Sequence, residues 1–353
     1  MNPEHVISEI SRKRILGSII GAFVGDALGS FLEFKNEISP EELTLALRML
    51  GGSQGTHGTG PGQVTDDSEL AICLMKGLID GQGALNLDKI AHYYQLWIKN
   101  DPFDVGNTTG TAFEPLRRSK IAYAYMPINC AAHYNKHSLS NGSLMRCTPL
   151  AVWCHRLSDD DLIRATELEV SMTHSNIIAQ QMEACYIKAI AHLINNPGDN
   201  QGAYEAAKNM GQNRFCDEVN NWFHDIENNH PMPGAPSIGY VKIAFDHAFR
   251  ALRSGADYET AIRNVLMIGG DTDTNACIVG GMVGAYHGID AIPEDWRDKV
   301  LSFHYSTHGG RRRPEFLDQR ELEQQISQLI TIAPSVLSVE MIEKPPLKKL
   351  NEN

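Results

Sequence analysis

Gly17-Ser18-Ile19-Ile20-Gly21-Ala22-Phe23-Val24-Gly25-Asp26-Ala27-Leu28-Gly29 is the stretch that decides the fold. Glycine returns at every fourth place, between apolar residues, with a single aspartate among them. On an α-helix, residues four apart lie one above another. The glycines therefore make a smooth ridge that a neighbouring backbone can approach closely. Gly280, Gly284 and Gly288 repeat the spacing late in the chain. Glycine within a helix costs roughly 1 kcal/mol relative to alanine, so both sets want a reason. Close packing of two central helices is one, and it would bring the region of Asp26 and Glu33 near Asp271 and Asp273. The other is that small residues merely suit a crowded core, since spacing alone does not name the partner helix.

Arg12-Lys13-Arg14, just ahead, resembles the charged start of a signal peptide. The apolar run from Ile15 is too short to span a bilayer and stops at Asp26. A buried first helix is preferred, because cleavage would discard some or all of Gly25-Asp26 and Glu33, which look useful to the mature protein.

Helical periodicity dominates the rest. Leu70, Leu74 and Leu78 share a face after Asp66-Asp67. Ser158, followed by Asp159-Asp160-Asp161, reads as an N-cap with an acidic first turn. Ser175 is expected to cap a helix through Ile178, Met182, Cys185 and Ile190. Ala244 to Leu252 and Tyr258 to Leu266 suggest two more. Strand-like alternation and hairpin signals are scarce. The expectation is an all-α fold in one domain over residues 15–333. A polar segment, residues 1–14, precedes it, and a loosely held tail with Pro345-Pro346, residues 334–353, follows. Residues 51–62 and 100–110 read as polar loops.

The 353 residues are 42% hydrophobic and 21% charged, an ordinary globular balance with ample core material. A net charge of −12 argues against a nucleic-acid partner. Arg311-Arg312-Arg313 is expected to be a solvated loop. Seven cysteines, an odd number with no Cys-x-x-Cys pair, argue against a disulfide framework and a zinc ribbon. A reducing compartment, hence the cytoplasm, is the simplest setting, and no membrane contact is expected.

Two acidic turns carry the chemistry. Asp271-Thr272-Asp273-Thr274 follows the apolar, glycine-ending run Val265 to Gly270, and Thr65-Asp66-Asp67-Ser68 opens another apolar segment. Buried carboxylates need compensation, and few basic residues lie near either turn in sequence. A hard cation held between them would supply the missing charge. Asp66, Asp67, Asp271 and Asp273, with oxygens from Thr65, Thr274 and Glu33, form an all-oxygen set that selects magnesium, manganese or calcium over zinc or copper. So many carboxylates suit two cations with bridging ligands and open positions. The plainer alternative makes Asp66 and Asp67 N-cap and first-turn residues favoured by the helix dipole. It accounts less well for the doubled Asp271 turn, and the two roles are compatible. His174, at a loop-to-helix boundary, is either a capping residue or a substrate contact. His57, His133 and His155 have no partner spacing that suggests a site. Zincin, nucleophile-elbow, Walker and dinucleotide-binding patterns are absent.

Together these motifs resemble the ADP-ribosylglycohydrolase family, over about Gly17 to Trp296. Gly21-Ala22-Phe23-Val24-Gly25-Asp26-Ala27-Leu28-Gly29 looks like the family's first helix, with Glu33 at its acidic position. Thr65-Asp66-Asp67-Ser68 looks like the first metal motif, with Ser68 where threonine is common. Asp101-Pro102-Phe103-Asp104-Val105-Gly106-Asn107-Thr108-Thr109 is similar to the substrate loop. Asn141-Gly142-Ser143-Leu144-Met145-Arg146 and Thr173-His174-Ser175 look like the segments lining the ADP-ribose pocket. Gly269-Gly270-Asp271-Thr272-Asp273-Thr274 looks like the second metal motif.

The resemblance implies an orthogonal all-α bundle with a two-magnesium site, manganese being the alternative ion, that removes ADP-ribose from mono-ADP-ribosylated proteins. It implies Thr65, Asp66, Asp67, Asp271, Asp273 and Thr274 as metal ligands, with Glu33 completing or adjoining the site. Asp104 would act on the substrate ribose. Asp66, Asp67, Asp104, Asp273 and Glu33 would stabilise the oxocarbenium-like state and manage protons. Gly106, Asn107, Thr108, Asn141, Gly142, Ser143 and His174 would position ADP-ribose. The Asp104-Val105-Gly106-Asn107 loop looks closer to the arginine-specific branch than to the serine-specific one. Two rivals stand beside this: an immunity-type protein that occludes a cognate ADP-ribosyltransferase, and a hydrolase of another ADP-ribose or nucleotide conjugate.

Overall fold

The computed structural model describes residues 7–51 and 56–342. Residues 1–6 of the polar N-terminal segment, 52–55 of the first polar loop and 343–353 of the tail, with Pro345-Pro346, lie outside the described residues. Among those described, the chain forms seventeen α-helices and two two-residue strands, Leu85–Asn86 and Val339–Glu340, which pair in parallel. This is the all-α architecture the periodicity predicts. No helix among them is long and apolar enough to cross a membrane.

The centre is an antiparallel pair, the first helix Glu9–Gly29 and the helix Thr272–His287. Gly17 faces Gly284, Gly21 faces Gly280, Gly25 faces Ala276, and Gly29 meets Thr272 and Asp273. A methyl built on Gly21 would lie 2.6 Å from the Gly280 carbonyl oxygen, and those on Gly17, Gly25 and Gly29 would lie closer still to opposing backbone. The ridge is therefore a backbone-to-backbone seam. Gly288 ends the second helix at φ +85° and still lies against Gly17, whose added methyl would meet its backbone at 2.7 Å. Tyr258 closes one side, its hydroxyl donating to the Gly21 carbonyl at 2.6 Å, and Tyr186 donates to Ile278 O at 2.6 Å.

Around this pair pack the helices Asp66–Asp80, Ile177–Asn195, Val241–Ser254 and Tyr258–Met267. Leu70, Leu74 and Leu78 are fully buried, as their spacing predicts. Ser158 caps its helix by accepting from Asp161 N. Ser175 does not cap the next. Asn176 does, its side chain accepting from Ile178 N at 3.0 Å, while Ser175 Oγ donates to Ala131 O. Adjacent residues both suited to capping leave that boundary open in sequence.

Candidate active site

The seam ends at a carboxylate cluster, because it brings the last turn of the first helix against the first turn of Thr272–His287. Thr272 Oγ1 donates to Gly29 O at 2.7 Å, locking that register. Asp26, one turn before Gly29, then points at the start of the Asp66–Asp80 helix. Its carboxylate accepts from Thr65 N at 3.0 and 3.1 Å and from Ser68 N at 3.1 Å. Asp26 thus caps that helix from another element, where orphan N–H groups favour a carboxylate. Thr65 stands at the N-cap position but makes no side-chain cap. Burial nonetheless raises Asp26 to about 7, with the hydrogen bonds from Ser68 and Thr65 opposing it.

Asp26, Asp67 and Asp273 each present a carboxylate oxygen, and the three atoms lie within 4.8 Å of one another. Asp67 and Asp273 are each 1% exposed. Asp67 Oδ2 accepts from Thr65 Oγ1 at 2.8 Å, and Asp273 Oδ1 from Thr274 N at 2.9 Å. Asp67 Oδ1 and Asp273 Oδ2 are buried with no hydrogen-bond partner. Burial, then neighbouring carboxylates, pushes Asp66, Asp67 and Asp273 well above the usual range. No basic side chain figures among the leading influences on any of the three. Clustered, desolvated acids with unpartnered oxygens are the donor set a divalent cation satisfies. The two distant turns do meet, and among the described residues neither lysine nor arginine fills the gap.

A second group adjoins the first through Asp273. Glu33, His57, Asp104 and Asp273 offer ligand atoms that also lie within 4.8 Å of one another. His57 Nε2 is in direct contact with Glu33 Oε2 and lies 3.4 Å from Asp104 Oδ2. Burial is the largest influence raising Glu33, with the His57 hydrogen bond opposing it. His57 is the member of this cluster that spacing misses: it sits in a Gly-, Ser- and Thr-rich loop without a signature. Asp26, expected near the second acidic turn but not among the ligands, joins the other group with Asp67 and Asp273.

The Arg311-Arg312-Arg313 segment is not simply a solvated loop. Arg311 Nε donates to His57 O at 2.7 Å. Arg313 pairs with the buried Glu69 at 2.7 and 2.9 Å and donates to Asn100 O at 3.0 Å. Both guanidinium groups lie over the Phe103 ring, at 6.0 and 5.8 Å. The segment braces the loops carrying His57 and Asp104, and a cavity of about 590 Å³ is lined by Glu69, Asn100, Tyr305 and these arginines. None of Asp26, Asp66, Asp67, Asp271 and Asp273 lines that cavity.

The remaining motif residues form one wall. Asn141 Nδ2 donates to Asp271 Oδ2 at 2.8 Å, tying that segment to the second acidic turn. Ser140 Oγ lies 3.0 Å from Thr108 Oγ1 and 2.8 Å from His174 Nε2, and His174 Nδ1 lies 2.8 Å from Thr173 Oγ1. A methyl on Gly142 would press on Thr109 Oγ1 at 3.0 Å. Gly106 and Asn107, starting the helix Asn107–Arg118, are exposed. His174 and Ser143 have no exposed surface. Burial, then Arg146, depresses His174 to about 3, so it is neutral at physiological pH. Arg146 is the brace beneath: it donates to Gly142 O at 2.7 Å, Thr173 Oγ1 at 2.9 Å and Glu169 Oε1 at 3.0 Å.

A family model described as ADP-ribosylglycohydrolase matches residues 8–331. The chain is 28% identical over 324 residues to the ADP-ribosyl-dinitrogen reductase glycohydrolase of Rhodospirillum rubrum, across 91% of this chain and 96% of that protein. It is 26% identical over 315 residues to the ADP-ribosylarginine hydrolase Tri1 of Pseudomonas putida (strain GB-1), across 87% of this chain and 78% of that protein. A solved structure titled an ADP-ribosylglycohydrolase-related protein complex superposes with a TM-score of 0.71 at 23% identity, across 92% of this chain and all of that one.

Proposed function

The chain belongs to the ADP-ribosylglycohydrolase family, and from that premise we propose that it releases ADP-ribose from mono-ADP-ribosylated proteins by cleaving the N-glycosidic bond to arginine. The observation that carries this is the convergence of Asp67 and Asp273 with Asp26, two of their oxygens buried and unpartnered. Thr65, Asp66, Asp67, Asp271, Asp273 and Thr274, with Glu33 adjoining, would hold two magnesium or manganese ions. Such ions supply positive charge that grips the vicinal ribose hydroxyls and orients a water.

The chain's own residues do the rest. In the overall reaction water adds to ribose C1 as the C1–N bond breaks. The guanidine leaves with a proton, and ADP-ribose is freed. Asp104, 22% exposed beside His57, would act on the ribose. Asn141 and Gly142 form the wall along the ADP-ribose, and Ser140 with Thr108 holds that wall to the neutral His174. Asp104, Gly106 and Asn107 in one loop, and the Pseudomonas relative named for arginine, support the arginine linkage.

The test is release of ADP-ribose by purified protein from arginine-linked and serine-linked adducts, with magnesium and with chelator. Release from the arginine adduct alone, lost in chelator and restored by cation, is expected. Equal release in chelator overturns the metal requirement, and release from the serine adduct alone overturns the linkage.

A further inference from the structure

The acidic turns read as an all-oxygen ligand set, but the folded chain adds a nitrogen. His57 Nε2 is directed into the group formed with Glu33, Asp104 and Asp273. Donors on neighbouring coordination positions of an ion with bonds of about 2.1 Å lie roughly 3 Å apart. The 3.4 Å between His57 Nε2 and Asp104 Oδ2 fits that spacing. A second observation points to a cation independently: Asp273 Oδ2 is buried and unpartnered, and Asp273 belongs to both carboxylate groups, as a bridging ligand would.

The imidazole is also fixed. Arg311 holds its backbone carbonyl, Thr56 Oγ1 ties the loop to Glu33 O at 3.0 Å, and the ring lies 5.9 Å from Phe103 and 6.5 Å from Phe34. The Nε2 contact with Glu33 Oε2 also orients the ring, and a cation bound by both residues would replace that contact.

We propose that His57 is a ligand to one of the two cations, beside Glu33 and Asp273, and that this nitrogen makes the position prefer manganese(II) over magnesium. Imidazole suits transition ions, whereas magnesium favours oxygen donors. Asp104, the more open member, faces the substrate side. The inference rests on the two-cation site proposed above, and the experiment separates the two.

Metal-stripped full-length protein is loaded with manganese(II) and examined by pulsed electron paramagnetic resonance for nitrogen-14 modulation. Equilibrium dialysis counts the ions bound and measures manganese against magnesium. The wild type is expected to show nitrogen modulation. His57→Gln and His57→Glu should lose it while still binding manganese, with the manganese-over-magnesium preference reduced about tenfold. Manganese bound to the wild type without nitrogen modulation overturns the proposal and leaves the two-cation site standing. So does modulation that survives in both variants. If the wild type binds neither ion, both the proposal and the two-cation site fail. The wild-type spectrum decides the matter even if a variant misfolds.

Discussion

Gly21→Ala sets two known quantities against each other. Within a helix, alanine is better than glycine by about 1 kcal/mol, so an unopposed substitution in a helix interior stabilises. Here the new methyl would sit 2.6 Å from Gly280 O and 3.1 Å from Tyr258 Cε2. Ordinary contact begins near 3.4 Å, so the two helices must part by about 0.8 Å. Overpacking of that kind costs roughly 1–3 kcal/mol, and the opposing atom is backbone, which cannot rotate aside. The upper part of that range applies, leaving a net loss of about 1–2 kcal/mol after the propensity gain. Thermal melting in chelator measures it, with Gly106→Ala as control because nothing lies within 4 Å of a methyl there. Gly25→Ala presses harder, against Ala276, and does so beside Asp26. It should lose both stability and divalent-cation affinity, whereas Gly17→Ala, at the far end of the seam, should lose stability alone. A Gly21→Ala protein that melts at or above the wild type refutes the seam as a tight constraint.

Asp273→Asn removes one buried like charge, so in chelator it should be more stable than the wild type by about 1–2 kcal/mol and melt at a higher temperature. In magnesium its cation-induced rise should be largely lost, and an undiminished rise contradicts the ligand assignment. Glu183, raised to about 8 by burial and then by Glu169, keeps a proton that the unfolded chain releases near 4.5. Stability should therefore fall as pH rises between those values, by at most about 1.4 kcal/mol per unit. Glu183→Gln should flatten that slope in urea melts at pH 5 to 8. Arg146→Met strands the fully buried Glu169 and should cost about 3–5 kcal/mol, read by chemical denaturation. Asn176→Ala should cost about 1 kcal/mol by the same assay.

How much was legible depends on whether a feature repeats locally. The glycine ridge is visible because its period is that of the helix, and its partner is found because Gly280 and Gly284 carry the same period. The second acidic turn is visible because Asp271 and Asp273, each followed by threonine, exceed what a helix start needs. Features made by chain crossings leave no such mark. The Arg313 to Glu69 pair joins residues 244 positions apart, and a run of three arginines reads as a solvated loop until that partner is in place. His57 meets Glu33 in a loop that Arg311, from elsewhere in the chain, and Thr56 tie down.

Asp26 shows why the fold and the site are one problem. Its place in the first helix is dictated by the seam, since Gly25 and Gly29 on either side must both face the second helix. With those neighbours committed to backbone contact, its carboxylate is directed at Thr65 and Ser68, where it holds the start of the helix that carries Asp66 and Asp67. The same seam delivers Asp273 through Gly29. A residue that packs no core and makes no salt bridge thus sets the separation of the two acidic turns. Asp26→Asn keeps an acceptor for the helix start but halves the carboxylate oxygens. It should therefore preserve the helix content read by circular dichroism while weakening divalent binding. If binding is unchanged, Asp26 acts only as a cap and the cation group reduces to Asp67 and Asp273.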